Sequence, residues 1–207
     1  MKQTEGRVIT VGVTGASGAV MAQAMLRLLD ADARVGKVHL VVTEAGQRLL
    51  ATELGIVAQE PKRLPALITG TQAAKFEYVR NKDIGAAIAS GSYPVDAMVV
   101  IPCSTGTLAA IACGTSDDLL ARAADVCLKE NRRLVLCIRE TPLNRIHIEN
   151  MLRAQAAGAV IMPVIPSFYH EPKTIEDLVA QYVYRVLAQM GLPQEDQYRW
   201  TGKKSGE

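Results

Sequence analysis

Two turns rich in small residues and a scattered set of basic side chains are the parts of this 207-residue chain that could do chemistry. The first turn lies in VGVTGASGAV, where Gly12, Gly15 and Gly18 recur every third residue with Thr14 and Ser17 between them. A glycine-rich exit from a strand lets backbone N–H groups approach an anion, and the dipole of the next helix favours negative charge there. Ser17 adds a hydroxyl. The spacing is neither GxGxxG nor a phosphate loop ending in GK[ST]. Without a ligand, the glycines would only permit a tight turn. The second turn, in IPCSTGTLAAIACG, sets Ser104, Thr105, Gly106 and Thr107 before another helical stretch. Such residues also serve as ordinary helix caps. Two such turns in one sheet suit a single extended ligand lying across the strand ends. A third Ser/Gly turn runs from Ala89 through Ser90 and Gly91 to Tyr93.

Arg122, Lys129, Arg139 and Arg185 are candidate donors to a phosphorylated substrate, although each alone also reads as surface charge. Arg139 and Glu140 follow an apolar run directly, at the edge where open α/β sheets bind ligands. Tyr169 and His170 follow the last such run. His147 and His170 suit general bases, and equally loop or cap residues. Cys103 has no positioned base near it in sequence, so a small buried thiol is the better reading. Cys103, Cys113, Cys127 and Cys137 form no CxxC pair, and with His39, His147 and His170 give no zinc spacing. Reduced core thiols are expected.

The elements that must position these residues are legible as five near-continuous apolar runs: Val8–Val13, Val38–Val42, Ala97–Ile101, Leu134–Ile138 and Ala159–Val164. Runs of that kind are strands covered on both faces. With helical patterns between them, they predict a three-layer, open parallel α/β sheet of Rossmann-like, flavodoxin-like type with helices on both faces. Residues 57–82 are less periodic and suggest loops or a hairpin. A helix is expected after Ser116, with Arg122, Asp125 and Lys129 on one flank. Another begins at a capping box of Thr174 and Asp177 and stops near Gly191. The whole of 1–207 reads as one domain, with 201–207 as a frayed tail.

Composition narrows the function. At 49% hydrophobic and 21% charged, the chain is neither disordered nor a coiled coil. A net charge of +2 gives no general signal for nucleic acid. No apolar run is long enough for a membrane span or a leader, so a soluble, cytoplasmic protein is expected. An NAD(P) dehydrogenase is a competing reading: the opening resembles GxxGxxG, Glu44 follows the second strand, and Tyr169 to Lys173 spells YxxxK. Pro172 lies inside that last motif and disfavours the helix that would align the pair.

Taken together, TGASG at 14–18, ASGS at 89–92, PCSTGTLAAIACG at 102–114 and DLLARAADVCLKENRRLVLCIRETPL at 118–143 closely resemble the UbiX-type flavin prenyltransferases of the flavoprotein-decarboxylase-like superfamily. IHIENM at 146–151, GAVIMPVIPSFYHEP at 158–172 and the following TIEDLV extend the resemblance over nearly the whole chain. It implies transfer of a dimethylallyl group from dimethylallyl monophosphate to reduced FMN, without metal. The prenylated FMN would serve a partner UbiD-type decarboxylase. The chain carries no DDxxD-type cluster for magnesium, in keeping with that. The resemblance also implies a homododecamer with sites at subunit boundaries.

Residue by residue, the resemblance implies FMN contacts at Gly15, Ala16, Ser17, Thr43, Ser104, Thr105, Gly106, Thr107 and Arg139. Ser90 and Gly91 would line the side where the donor enters. Arg122, Lys129, Glu140, Tyr169 and Arg185 would form its phosphate pocket, with Arg122 and Lys129 supplied across a subunit boundary. Fixed cations would stabilise the phosphate as the allylic C–O bond breaks. Glu140 or Tyr169 would hydrogen-bond or protonate it, and Ser17 and Glu53 would orient the flavin and help remove a proton. Lys129 completes this catalytic set. Trp200 resembles a residue that packs over the site. The chain departs from the usual pattern at Ala19-Val20-Met21, Asp118, Asn131 and Glu171, which puts the donor preference in question. Two other readings stay open. One is an FMN-dependent decarboxylase, although the catalytic His and PxMNxxMW-like segment of that group are missing. The other is a non-catalytic FMN-binding subunit of a decarboxylase.

Overall fold

The computed structural model describes residues 6–202, so the expected tail lies outside the described residues from 203 onward. Among these residues, six strands form one sheet: β1 (Arg7–Val13), β2 (Val35–Val42), β3 (Phe76–Arg80), β4 (Ala97–Cys103), β5 (Arg133–Ile138) and β6 (Val160–Ile161). Their order is β3-β2-β1-β4-β5-β6, and every neighbouring pair is parallel. Five strands match the apolar runs. The sixth, β3, lies in the stretch read as loops or a hairpin. It is a parallel edge strand, and the exposed Glu77 and Arg80 interrupt Phe76, Tyr78 and Val79. It therefore lacks the unbroken apolar signal of strands buried on both faces.

Among the described residues, seven α-helices cover the sheet: α1 (Ala19–Ala31), α2 (Glu44–Leu54), α3 (Leu64–Thr69), α4 (Thr105–Cys113), α5 (Leu119–Lys129), α6 (Arg145–Ala156) and α7 (Ile175–Gln189). The runs are continuous because alternate residues feed two cores. Ile9, Val11 and Val13 of β1 pack with α1, α3 and α7, whereas Val8 joins the core of α4 and α5. In β4, Val99 and Ile101 face the first core, and Met98 and Val100 the second. Each such fully buried side chain contributes about 1.5–3 kcal/mol. Gly12 permits the close approach of α5, since a Cβ there would stand 2.9 Å from Leu120 Cδ1. The box of Thr174 and Asp177 caps α7 as read from the sequence.

The chain leaves β1 for β2 on one side of the sheet and returns to β4 on the other. The loops after β1 and β4 diverge at this switch, which opens a crevice at the carboxyl edge. Thr14 ties its two walls together. Its hydroxyl donates to Pro102 O at 2.7 Å and accepts from Ser104 N at 2.8 Å. All four thiols are free, and Cys103, Cys127 and Cys137 are buried, while Cys113 is exposed rather than in the core. Burial pushes the Cys103 thiol far up, which leaves no thiolate for nucleophilic attack.

Candidate functional site

The turn after β1 is built around one carboxylate. The first residue of α1 follows Gly18, a left-handed residue (φ +120°) with no side chain to cap the helix. No acid stands in the first turn of α1 either. Glu53, in the last turn of α2, supplies the missing acceptor. Its carboxylate accepts from Gly18 N at 3.0 Å and Ala19 N at 2.8 Å. Partial burial alone would raise its pKa, but hydrogen bonds from the Ser17 hydroxyl and those two amides, with the charge of Arg139, hold it below the ordinary carboxylate value. The sequence reading has this turn present backbone amides to an anion; at its last two amides that anion is a carboxylate of the chain itself. Gly18 and Ala19 are taken by the chain's own carboxylate, because nothing else caps the helix.

Glu53 reaches this place because α2 lies across the carboxyl edge. At its start Gly46 meets β1 so closely that a Cβ would stand 2.5 Å from Val13 O. A Cβ on Gly15 would stand 2.4 Å from Ala45 Cβ. Thr43 caps α2, accepting from Gly46 N at 3.0 Å, which places it at the foot of the same turn. Arg139 spans the crevice. Its amide donates to Cys103 O and its Nε donates to Ser17 O, both at 3.1 Å. Gly15, Ala16, Ser17, Thr43, Glu53 and Arg139 are thus one cluster.

Ser104 and Thr107 join it through Thr14. Ser104 caps α4, accepting from Thr107 N, and the two hydroxyls lie 3.0 Å apart. Nothing lies within 4 Å of where a Cβ on Gly106 would stand, so the start of α4 is open above Thr105 and Gly106.

A second group forms at the exit of β6. A cleft of about 700 Å³ is lined by Met162, Pro163, Phe168, Tyr169, Tyr182 and Arg185 among others. Tyr182 donates to Met162 O at 2.7 Å and closes one wall. Trp200 meets the ring of Tyr169 edge-on, with 5.9 Å between centroids. Glu140 is exposed beside Arg139 and accepts from Thr141 N at 3.0 Å. Tyr169 precedes α7 and is not helical, so the Tyr169–Lys173 pair of the dehydrogenase reading is not aligned on a helix.

The third group lies elsewhere. Arg122 and Lys129 point from α5 to the turn carrying Ser90 and Gly91. Arg122 Nε donates to Ala89 O at 3.2 Å and its Nη1 meets Asp125 at 2.7 Å. Lys129 pairs with Glu130. Lys129 sits four residues before β5, at the sheet's amino edge, so the length of that strand (~20 Å at ~3.3 Å per residue) separates it from the carboxyl edge. One chain does not bring Lys129 to Tyr169 and Arg185.

Sequence reasoning missed the Thr14 staple and the capping work of Glu53. The signal for the second was present: a helix start of Gly18-Ala19-Val20-Met21 with no residue able to cap it. Among the departures from the usual pattern, Asp118 caps α5 by accepting from Ala121 N, and Asn131 and Glu171 are left-handed residues with φ of 53° and 52°. Among the described residues, no three His, Cys, Asp or Glu side chains gather to hold a metal, and no helix is long and apolar enough to cross a membrane.

Residues 1–187 match the family described as Flavoprotein. The flavin prenyltransferase UbiX of Halalkalibacterium halodurans is 46% identical over 194 residues, 93% of each chain. A crystal structure of AnUbiX (PadA1), in complex with FMN and dimethylallyl pyrophosphate, is 41% identical, covers 96% of this chain and 100% of that one, and superposes with a TM-score of 0.85. A dodecameric FMN-dependent UbiX-like decarboxylase from Escherichia coli O157:H7 is 40% identical over 94% of this chain and 100% of its own, with a TM-score of 0.82. Likeness over nearly the full length, in sequence and in fold, makes this chain a member of the UbiX family of flavoproteins.

Proposed function

We propose that the chain transfers a dimethylallyl group from dimethylallyl monophosphate to reduced FMN. The observation that carries this reading is the crevice between the β1 and β4 turns, walled by hydroxyls and bridged by Arg139, with the cleft of Tyr169 and Arg185 at the same edge of the sheet. FMN suits the crevice by its chemistry: Ser17, Thr43, Ser104 and Thr107 offer hydroxyls, Arg139 a cation, and the open start of α4 a helix terminus that favours phosphate. Reduced FMN supplies the electron-rich ring that accepts the allylic carbon.

The chain's own residues have distinct tasks. Arg185 binds the donor phosphate, and its fixed charge stabilises the negative charge that grows as the C–O bond breaks. Tyr169 hydrogen-bonds the departing phosphate, and Glu140 holds or delivers a proton there. Glu53 anchors the turn that faces the flavin and stays ionised, and with Ser17 beside it helps to orient the flavin and to remove a proton. Phe168, Tyr169 and Trp200 present apolar surface to the prenyl group. Arg122 and Lys129 join the phosphate from a second copy of the chain, because one copy leaves Lys129 at the other edge. On this reading the working form is a homo-oligomer, a dodecamer by likeness, and its product passes to a UbiD-type decarboxylase. The site needs no metal.

The test is anaerobic incubation with reduced FMN and dimethylallyl monophosphate. Extracted flavin heavier by one five-carbon unit supports the reading. Flavin of unchanged mass, with FMN bound, favours a non-catalytic flavin-binding subunit.

A further inference from the structure

Three carbonyls of one short turn are held by two arginines. Arg132 Nη1 donates to Tyr93 O at 2.8 Å, and its Nη2 donates to Gly91 O at 2.6 Å. Arg122 Nε donates to Ala89 O. The turn's internal bonds are longer than the two that Arg132 makes: Ser90 N to Ala87 O at 3.1 Å, Tyr93 N to Ser90 O at 3.2 Å, Ser92 N to Ser90 Oγ at 3.4 Å, and the two hydroxyls of Ser90 and Ser92 at 2.9 Å. The arginine fork therefore sets where two alternate carbonyls of the turn lie.

The fork is itself aimed by backbone. Asn131 is left-handed (φ 53°) and ends α5, and Arg132 N then donates back to Cys127 O at 2.8 Å. That reversal directs the Arg132 side chain across to the turn. On the turn's far side, Tyr93 Oη lies 2.9 Å from Nε2 of His39, whose side chain is buried in β2. Burial holds His39 down to about 4, so the ring is neutral near pH 7. Its Nδ1 is 3.4 Å from Glu77 Oε2 without hydrogen-bond geometry, and this carboxylate favours a proton on Nδ1, which leaves Nε2 to accept from Tyr93.

The turn bears directly on Lys129. A Cβ at Gly91 would stand 2.6 Å from Lys129 Nζ and 2.2 Å from Glu130 Oε1. A movement of Gly91 toward α5 would crowd that ammonium group, which is otherwise held by Glu130.

We propose that Arg132 is a positioning residue that fixes the 89–93 turn, and through Gly91 fixes Lys129, so as to set the affinity of the phosphate end of the donor. The assignment to the donor rests on the function proposed above; the clamp on the turn does not. A lysine at 132 keeps the charge but cannot offer two parallel donors to two carbonyls.

Two readouts on the FMN-loaded oligomer test it. In Arg132→Lys, amide hydrogen exchange across 89–93 should rise at least tenfold, while exchange in β4 and β5 stays as in wild type. The KM for dimethylallyl monophosphate should rise at least tenfold, with kcat changed less than threefold. Gly91→Ala, which leaves Arg132 in place but crowds Lys129, should raise KM similarly without faster exchange in the turn. Unchanged exchange in Arg132→Lys overturns the clamp. Faster exchange with an unchanged KM overturns the positioning role. If the wild-type chain makes no prenylated flavin, the donor assignment falls, while the exchange result still decides whether Arg132 holds the turn.

Discussion

Replacing Glu53 with Ala should destabilise the protein before it tells anything about catalysis. The carboxylate satisfies two amides at the start of α1 that have no other cap, and it lies at the positive end of that helix. Loss of a side-chain cap costs about 0.5–2 kcal/mol, and a charge at a helix N-terminus adds about 0.3–1 kcal/mol. Glu53 is exposed, so solvent screening trims the sum to about 1.5 kcal/mol. In a chain of this size that lowers Tm by ~3–6 °C. Differential scanning calorimetry of the FMN-free protein measures it. Glu53→Gln keeps an acceptor but loses the charge, and should fall about halfway. The pH dependence has a fixed sign. A folded pKa held below the ordinary 4.5 means that the contribution is present above that value and is lost as pH falls through the folded one. The gap between wild type and Glu53→Ala should therefore close on acidification. An Ala variant that melts within 1 °C of wild type at neutral pH (~0.3 kcal/mol or less) refutes the capping role.

Gly15→Ala should force the β1 turn away from Ala45, costing about 1–3 kcal/mol in urea denaturation and weakening FMN binding at least tenfold by flavin-fluorescence titration. His39 is held down to about 4 by burial, so the unfolded chain binds its proton first and stability falls as pH drops from 6.5 toward that value, by about 1.4 kcal/mol per unit. Denaturation of His39→Gln across this window should show a slope shallower by that amount; equal slopes would contradict a buried neutral ring facing Glu77, Lys37 and Tyr93. Arg185→Ala and Glu140→Ala should each lower turnover at least a hundredfold while the FMN Kd changes less than threefold, and normal turnover in both would remove the phosphate cleft from the mechanism.

Strands buried on both faces announce themselves, so β1, β2, β4 and β5 were legible from their apolar runs. Edge strand β3 was not, because Glu77 and Arg80 face water. The caps Thr174 and Ser104 were legible because a cap and its target amide are neighbours in sequence. Glu53 and Gly18 are 35 residues apart, and only the packing of Gly15 and Gly46 against α2 and β1 reveals why they meet. Arg132 reads as one more surface cation until Asn131 is seen to turn it toward the 89–93 turn. The phosphate set shows the same limit: residue types indicated Arg122, Lys129 and Arg185, but spacing could not show that one chain keeps Lys129 apart from Arg185.

The most direct measurement is the mass of flavin released after strictly anaerobic single-turnover mixing of the protein with reduced FMN and either dimethylallyl monophosphate or the diphosphate. The account predicts a five-carbon adduct with the monophosphate, formed at a rate that collapses in Arg185→Ala. Unmodified FMN with both donors, from protein that binds FMN and assembles normally, would contradict it.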